Sequence, residues 1–118
     1  MNILMVFAGG GLGSVLRWAI GLGVQALGAF TFPWATLISN VISCCVMALS
    51  LRFTEHPSFT NEIRLLVFTG FCGGLSTFST FSLESMELLR SGNYGWAIGN
   101  TLISLIMCFG VLYWGLRR

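Results

Sequence analysis

Residues 70–82 read GFCGGLSTFSTFS, a stretch dense in small and hydroxyl-bearing side chains. Its hydroxyls are Ser76, Thr77, Ser79, Thr80 and Ser82. Hydroxyls at positions i, i+3 and i+4 share one helix face, so Ser76, Ser79 and Ser82 could form a ladder of neutral hydrogen-bond donors. Such side chains can also bond back to their own helix backbone. Because so many fall so close together, the pattern favours a polar track.

Two phenylalanines, Phe78 and Phe81, interrupt the hydroxyls three residues apart. At this spacing their rings stack along one helix face. An aromatic ring is negative on its face and positive at its edge, so ring edges could contact a dehydrated anion. The same spacing is also typical of core or lipid-facing aromatic residues, and spacing alone does not separate the two interpretations.

The pair Gly73-Gly74 precedes the hydroxyls and lies about ten residues beyond Arg64, roughly 15 Å along a helix. Glycine is a poor helix former, and a helix that breaks there leaves backbone carbonyls without partners. Such carbonyls could bind a small cation. The alternative is an unbroken helix in which the glycines serve only close packing.

Further polar side chains occur in other apolar segments. Thr36 and Asn40 lie four residues apart, and the Asn40 amide either offers donors to a ligand or bonds a neighbouring helix. Asn100, Thr101 and Ser104 add uncharged donors. Arg17 is a charge deep within an apolar run, where it could attract anions or instead snorkel or cap carbonyls.

The elements that carry these residues are predicted to be membrane helices. The chain has 118 residues, of which 55% are hydrophobic and 8% charged, against roughly 25% charged in a soluble domain. A membrane helix needs roughly 20 apolar residues. Runs of this kind predict one all-α domain over residues 1–118 with four spans at roughly residues 3–29, 33–53, 63–90 and 94–116. The first run lacks a basic leader, so we expect it to be retained.

Several classes of function are disfavoured by composition. The four cysteines lie in predicted spans with neither a disulfide framework nor zinc-ligand spacing, and we interpret them as packing residues. His56 is the single histidine and has no nucleophile or metal-ligand pattern around it, so we do not expect an enzyme. The chain has no basic cluster that would indicate nucleic-acid binding.

Two further patterns concern assembly and orientation. Glycine pairs four residues apart let membrane helices approach closely, either within one subunit or between subunits. They are Gly9/Gly13, Gly70/Gly74 and Gly95/Gly99. The positive-inside rule favours cytoplasmic termini, because the side that holds them carries Arg52, Arg64, Arg117 and Arg118 whereas the other carries Arg90.

The segment GFCGGLSTFSTFSLE, preceded by GGGLGSVLRW and ATLISN and followed by RSGNYGWA, resembles the CrcB/Fluc family of fluoride channels. The resemblance covers nearly the whole chain. It implies a third span broken near mid-membrane and an antiparallel, dual-topology dimer in the cell (plasma or inner) membrane. It also implies two fluoride pores and one central sodium ion that is structural and not transported.

The resemblance further implies roles for individual residues. The sodium would be held by the backbone carbonyls of Gly73 and Ser76. Arg17 would lie in a vestibule. The fluoride pathway would comprise Asn40, Phe78, Ser79, Thr80, Phe81 and Ser104.

The function implied is passive, fluoride-selective conduction that lowers cytoplasmic fluoride and protects against its toxicity. The chain would pair with a second copy of itself in the bilayer, although some members pair two distinct subunits. The alternative is a small multidrug-resistance-type cation exporter, which resembles this chain in size and span number. Such exporters need an acidic residue in the first span, where this chain has Arg17 and no acid.

Overall fold

The structure is a computed structural model that describes residues 1–117. Arg118, one of the arginines counted for orientation, lies outside the described residues. Within residues 1–117 the fold is all-helical, and four segments are long and apolar enough to cross a membrane. They are Asn2–Leu27, Trp34–Leu51, Asn61–Arg90 and Tyr94–Leu116, whose ends fall within two residues of the expected spans.

The first, second and fourth spans are the single helices α1 (Asn2–Leu27), α2 (Trp34–Leu51) and α5 (Tyr94–Leu116). The third span consists of two helices, α3 and α4. Helix α3 is one continuous element of three stretches, in which Asn61–Arg64 and Gly73–Leu75 are α-helical and Leu65–Cys72 is π-helical. Helix α4 is Phe78–Arg90.

Helices α1 and α3 pack with almost no side chain between them. A Cβ added at Gly9 would collide with the Leu66 carbonyl oxygen, and one at Gly74 would lie 2.5 Å from the Gly10 carbonyl oxygen. Glycine is therefore required at this seam, which also contains Gly13 and Gly70. The glycine spacings of the first and third spans accordingly serve packing within one subunit.

The third glycine pair behaves differently. A Cβ at Gly95 or Gly99 would meet no other atom within 4 Å. Nothing within residues 1–117 of this subunit therefore explains the small residues on this part of α5.

The third span breaks at Ser76 and Thr77, where the backbone is extended (φ −80°, ψ 153° and φ −153°, ψ 117°). This confirms a broken third span, but the break falls two residues beyond Gly73-Gly74, which remain helical. The displacement has a physical reason: Gly74 is held against Gly10 of α1. The first turn of α4 then begins at Thr77, whose hydroxyl caps the Thr80 N–H at 3.3 Å.

Helix α5 crosses the far side of the bundle and packs on α2. Gly115 lies so close to Ala48 that an added Cβ would be 2.8 Å from the Ala48 Cα. At the same end, the Arg52 guanidinium stacks 4.3 Å from the centre of the Trp114 ring. This contact joins the end of α2 to the end of α5 and keeps a cation at the expected membrane edge.

Candidate functional site

A cavity of about 230 Å³ lies where the third span breaks, between α2, α4 and α5. It brings together five of the residues to which the family resemblance assigns a role in the fluoride pathway or the sodium site. They are Asn40, Ser76, Phe78, Phe81 and Ser104. Since these residues come from three different spans, their convergence depends on the tertiary structure and not on one helical motif.

Asn40 of α2 binds the broken backbone directly. Its Oδ1 accepts a hydrogen bond from the Thr77 N–H at 2.8 Å, and its Nδ2 donates to the Thr77 carbonyl at 3.5 Å. The amide side chain thus pairs with an extended residue much as a neighbouring strand would. An amide nitrogen carries two hydrogens, so one N–H of Asn40 is not used in this pairing.

Thr77 is also the centre of a hydroxyl cluster at the start of α4. Its Oγ1 donates to Thr80 Oγ1 at 3.1 Å and lies 3.3 Å from Ser79 Oγ. Ser79 and Thr80 are not among the residues that line the cavity described above. The two hydroxyls therefore stand beside the break, in a group held together by Thr77.

The predicted ladder of Ser76, Ser79 and Ser82 does not form, because the break separates Ser76 from α4. Ser76 Oγ instead donates to the Cys72 carbonyl at 2.6 Å, and Ser82 Oγ donates to the Phe78 carbonyl at 2.9 Å. Both hydroxyls bond back to their own backbone, which is the alternative interpretation of the sequence.

The phenylalanine pair is in ring contact at the cavity. The Phe78 and Phe81 centroids are 5.8 Å apart and the rings are tilted by 37°. Phe78 is 80% exposed in the single subunit, whereas Phe81 is half-buried. Phe78 therefore presents most of its ring to whatever surrounds the subunit.

Ser104 lines the cavity from α5 and takes part in a chain of two hydrogen bonds that links α5 to α4. Its Oγ donates to Asn100 Oδ1 at 3.3 Å, and Asn100 Nδ2 donates to Ser85 Oγ of α4 at 3.0 Å. Asn100 is only 1% exposed. This chain fixes α5 against α4 and orients Ser104, a link that the sequence did not reveal although Asn100 was noted as a donor.

The Gly73 carbonyl, just before the break, has lost its normal helical donor. In a continuous helix the Thr77 N–H would donate to the Gly73 carbonyl, but here it donates to Asn40. The Cys72 carbonyl is well satisfied, since it also accepts from Ser43 Oγ at 3.0 Å. The loss of a helical donor is thus shown for the Gly73 carbonyl and not for that of Cys72.

Two charged side chains within the spans have unsatisfied atoms. Arg17 of α1 is half-buried, and its Nε is buried without a hydrogen-bond partner among residues 1–117. Glu84 of α4 accepts from Thr36 Oγ1 at 2.8 Å, while its Oε2 is buried without such a partner in the same part of the chain. The Thr36–Glu84 pair joins α2 to α4 and was not predicted from the sequence.

The fold and this site define a class: a small multi-pass membrane protein with a cavity beside a broken helix. Residues 4–116 match the family described as CrcB-like protein, Camphor Resistance (CrcB). The chain belongs to this family, which confirms the resemblance seen in the sequence motifs.

Similar proteins of known name support the same assignment. The chain is 46% identical over 110 residues to the fluoride-specific ion channel FluC of Nitrosomonas europaea, with 89% of this chain and 86% of the relative covered. It is 40% identical over 123 residues to the protein of that name from Proteus mirabilis, covering 100% and 98%. Identity to the corresponding protein of Phocaeicola vulgatus is 38% over 109 residues, covering 89% and 90%.

Proposed function

We propose that this chain is a subunit of a passive, fluoride-selective channel in the cell membrane. The observation that carries the proposal is the meeting of Asn40, Phe78, Phe81 and Ser104 at one cavity beside the break. Fluoride is proposed as the conducted ion because the chain belongs to this family and its relatives are named fluoride-specific ion channels. Flow down the electrochemical gradient, in a cell that is negative inside, would be outward and would lower cytoplasmic fluoride.

The chemistry of the cavity suits a small, strongly hydrated anion. Moving such an ion unaided into hydrocarbon costs on the order of 20 kcal/mol by Born reasoning. The unused N–H of Asn40 is a neutral donor that replaces water without trapping the ion. The Ser104 hydroxyl becomes a second such donor when it rotates away from Asn100 Oδ1, to which it donates in this structure. Conduction needs binding that is favourable enough for the ion to enter and weak enough for it to leave.

The two rings complete this environment. A positive ring edge contacts an anion favourably, whereas the negative face repels it. Phe78 and Phe81 lie in contact at the cavity, so their edges provide a surface for the ion between hydroxyl and amide donors. The hydroxyls of Ser79 and Thr80 extend the donors along the start of α4, and Arg17 attracts anions toward a vestibule.

A sodium ion bound by the backbone carbonyls of Gly73 and Ser76 belongs to the same proposal. Its support is the diversion of the Thr77 N–H to Asn40, which removes the helical donor of the Gly73 carbonyl. Sodium is a hard cation that backbone carbonyl oxygens coordinate where a membrane helix is unwound. It would stabilise the broken backbone and take no part in conduction.

The functional unit is proposed to be an antiparallel dimer of this chain, with a distinct second subunit as the alternative. Two features support a partner. Phe78 is 80% exposed although it lines the cavity, and Gly95 and Gly99 leave open space on α5. A second subunit would cover such surfaces and complete the coordination of a central ion.

The test is fluoride efflux from liposomes that contain the purified chain alone, measured with a fluoride electrode. We expect rapid fluoride efflux and no chloride efflux under the same gradient. Equal efflux of both ions would overturn selectivity. Absence of fluoride efflux from folded, reconstituted protein would overturn the homodimeric channel, and recovery on addition of a second family subunit would assign the function to a pair of distinct chains.

A further inference from the structure

The cavity contains two groups that the fluoride pathway does not use, the thiols of Cys44 on α2 and Cys108 on α5. Both cysteines are free and half-buried. One thiol comes from each of two helices that pack together, α2 and α5, and both line the same cavity. Two thiols at one cavity are a different feature from the isolated packing cysteines that the sequence indicates.

The other two cysteines lie in different surroundings. Cys45 is adjacent to Cys44 in the chain but lines a separate cavity, together with Ala48 and Trp114. Cys72 is buried, and its thiol donates to the Ser43 carbonyl at 3.6 Å. Cys45 and Cys72 therefore serve as controls within the same chain for any property of the Cys44/Cys108 pair.

We propose that Cys44 and Cys108 form a two-thiolate binding site for a soft, thiophilic cation such as Ag⁺ or Cu⁺, and that occupation of this site blocks the cavity. Thiolate sulfur selects soft cations over hard ones. Within residues 1–117 no group of three or more His, Cys, Asp or Glu side chains is placed to hold a metal. The site therefore suits an ion that is satisfied by two ligands and not zinc, which takes four.

The binding step is balanced without an oxidant. Two S–H bonds break, two sulfur–metal bonds form, and two protons leave to solvent, so that one Ag⁺ and two thiols yield a complex with a net charge of −1. Metal binding by thiolates releases protons in this way. The complex would occupy the cavity that Asn40 and Ser104 also line.

Block then has two physical causes. The metal and its two sulfurs fill space in a cavity of about 230 Å³. The complex is also an anion in a poorly solvated site, where repulsion of a second anion is strong because the effective dielectric constant is low. The inference about block rests on the proposed channel function, whereas the inference about metal binding does not.

Metal binding is tested with the purified full-length chain in detergent. Ag⁺, added as the nitrate in chloride-free buffer, is titrated while the ultraviolet absorption of the silver–sulfur bond is recorded. We expect a tight binding step in the unmodified chain and in Cys45→Ser. In Cys44→Ser and in Cys108→Ser this step should weaken by about a hundredfold, because one ligand is lost.

Block is tested by fluoride efflux from liposomes, with each variant compared with its own rate before Ag⁺ is added. We expect Ag⁺ to stop efflux through the unmodified chain and through Cys45→Ser at the same concentration. Cys44→Ser and Cys108→Ser should each need about a hundredfold more. The double variant Cys44→Ser/Cys108→Ala shows whether any residual block comes from Cys45 or Cys72.

The outcomes separate the two proposals. Loss of the tight step in Cys45→Ser, or its persistence in the double variant, overturns the metal site. Tight binding without any change in efflux overturns the block. Tight binding that depends on Cys44 and Cys108, in a chain that shows no fluoride efflux at all, retains the site and overturns the channel function.

Discussion

The two halves of the third span, α3 and α4, pack against their neighbours in different ways. Helix α3 lies against α1 so closely that a methyl group at Gly9 would strike the backbone of Leu66. Helix α4 stands apart from that seam, and polar side chains join it to α2 and α5 through the pairs Thr36–Glu84 and Ser85–Asn100. The break at Ser76 and Thr77 therefore separates a half packed by backbone contact from a half packed by hydrogen bonds around a cavity.

This contrast explains why glycine and hydroxyl residues are segregated along one span. Without side chains, the glycines of α3 allow extensive dispersion contacts between helices in lipid. Helix α4, which carries the hydroxyls, lacks that close contact, and its residues Phe78 and Phe81 line a cavity instead. The cavity therefore lies beside a half of the span that close backbone packing holds in place.

The largest expected effect is on α4, the half whose rings line the cavity. Phe81→Ile removes the ring edge from the cavity but keeps an apolar side chain, so fluoride efflux should fall by at least about a hundredfold. Phe78→Ile should do the same. Phe109→Ile is the matched control, because Phe109 is 66% exposed on α5 and does not line the cavity. Unchanged efflux in both ring variants would remove the phenylalanines from the pathway.

At the seam between α1 and α3, Gly9→Ala should destabilise the fold by about 1–3 kcal/mol, because the added methyl group is forced against backbone. Thermal unfolding in detergent measures this effect. Gly11→Ala is the control on the same helix, since nothing lies within 4 Å of a Cβ there. If Gly9→Ala unfolds at the same temperature as Gly11→Ala, the seam is not as tight as described.

Asn40→Asp tests the side chain that joins the two halves. A carboxylate would place negative charge in the cavity, so we expect fluoride efflux to fall by about tenfold, a barrier increase of about 1.4 kcal/mol. It would also lose the donor to the Thr77 carbonyl. Ser39→Ala is the control and should conduct normally, because the Ser39 hydroxyl donates back to the Ala35 carbonyl at 2.8 Å and Ser39 does not line the cavity. Equal efflux in both variants would place Asn40 outside the pathway.

The smallest effects should separate the hydroxyl groups from one another. Ser82→Ala removes a hydroxyl that bonds back to the Phe78 carbonyl, so stability should change by less than about 0.5 kcal/mol and efflux should stay the same. Ser104→Ala should lower efflux severalfold, since Ser104 lines the cavity. A reversal of this order would show that the conducting hydroxyls lie on the face of Ser82.

The spans of this fold and part of its site could be predicted from the sequence. Hydropathy and charge are local properties, so the span ends were placed to within two residues. The break was predicted but displaced, because glycine propensity indicates where a helix is weak and not where packing against Gly10 holds it intact. Glycine spacing could not decide between intramolecular and intermolecular packing, since both follow the same pattern.

The remaining features depend on contacts between residues that are distant in the chain. The Asn40–Thr77 pairing joins positions 37 residues apart, and Thr36–Glu84 joins positions 48 apart. Neither has a periodic signature, because each arises from the relative rotation of two helices. The same limit applies to Cys44 and Cys108, which are far apart in the sequence but line one cavity in the fold.

The pairing of Asn40 with Thr77 has a consequence for how the chain is made. Burying the Thr77 N–H and carbonyl in hydrocarbon without hydrogen-bond partners would cost free energy. Their partner, the Asn40 amide, belongs to the preceding span. Chains are synthesised from the N-terminus, so α2 is already in the bilayer when the broken span follows it. The Asn40 side chain is therefore already in place in the bilayer when the broken segment at Thr77, whose backbone it satisfies, is inserted.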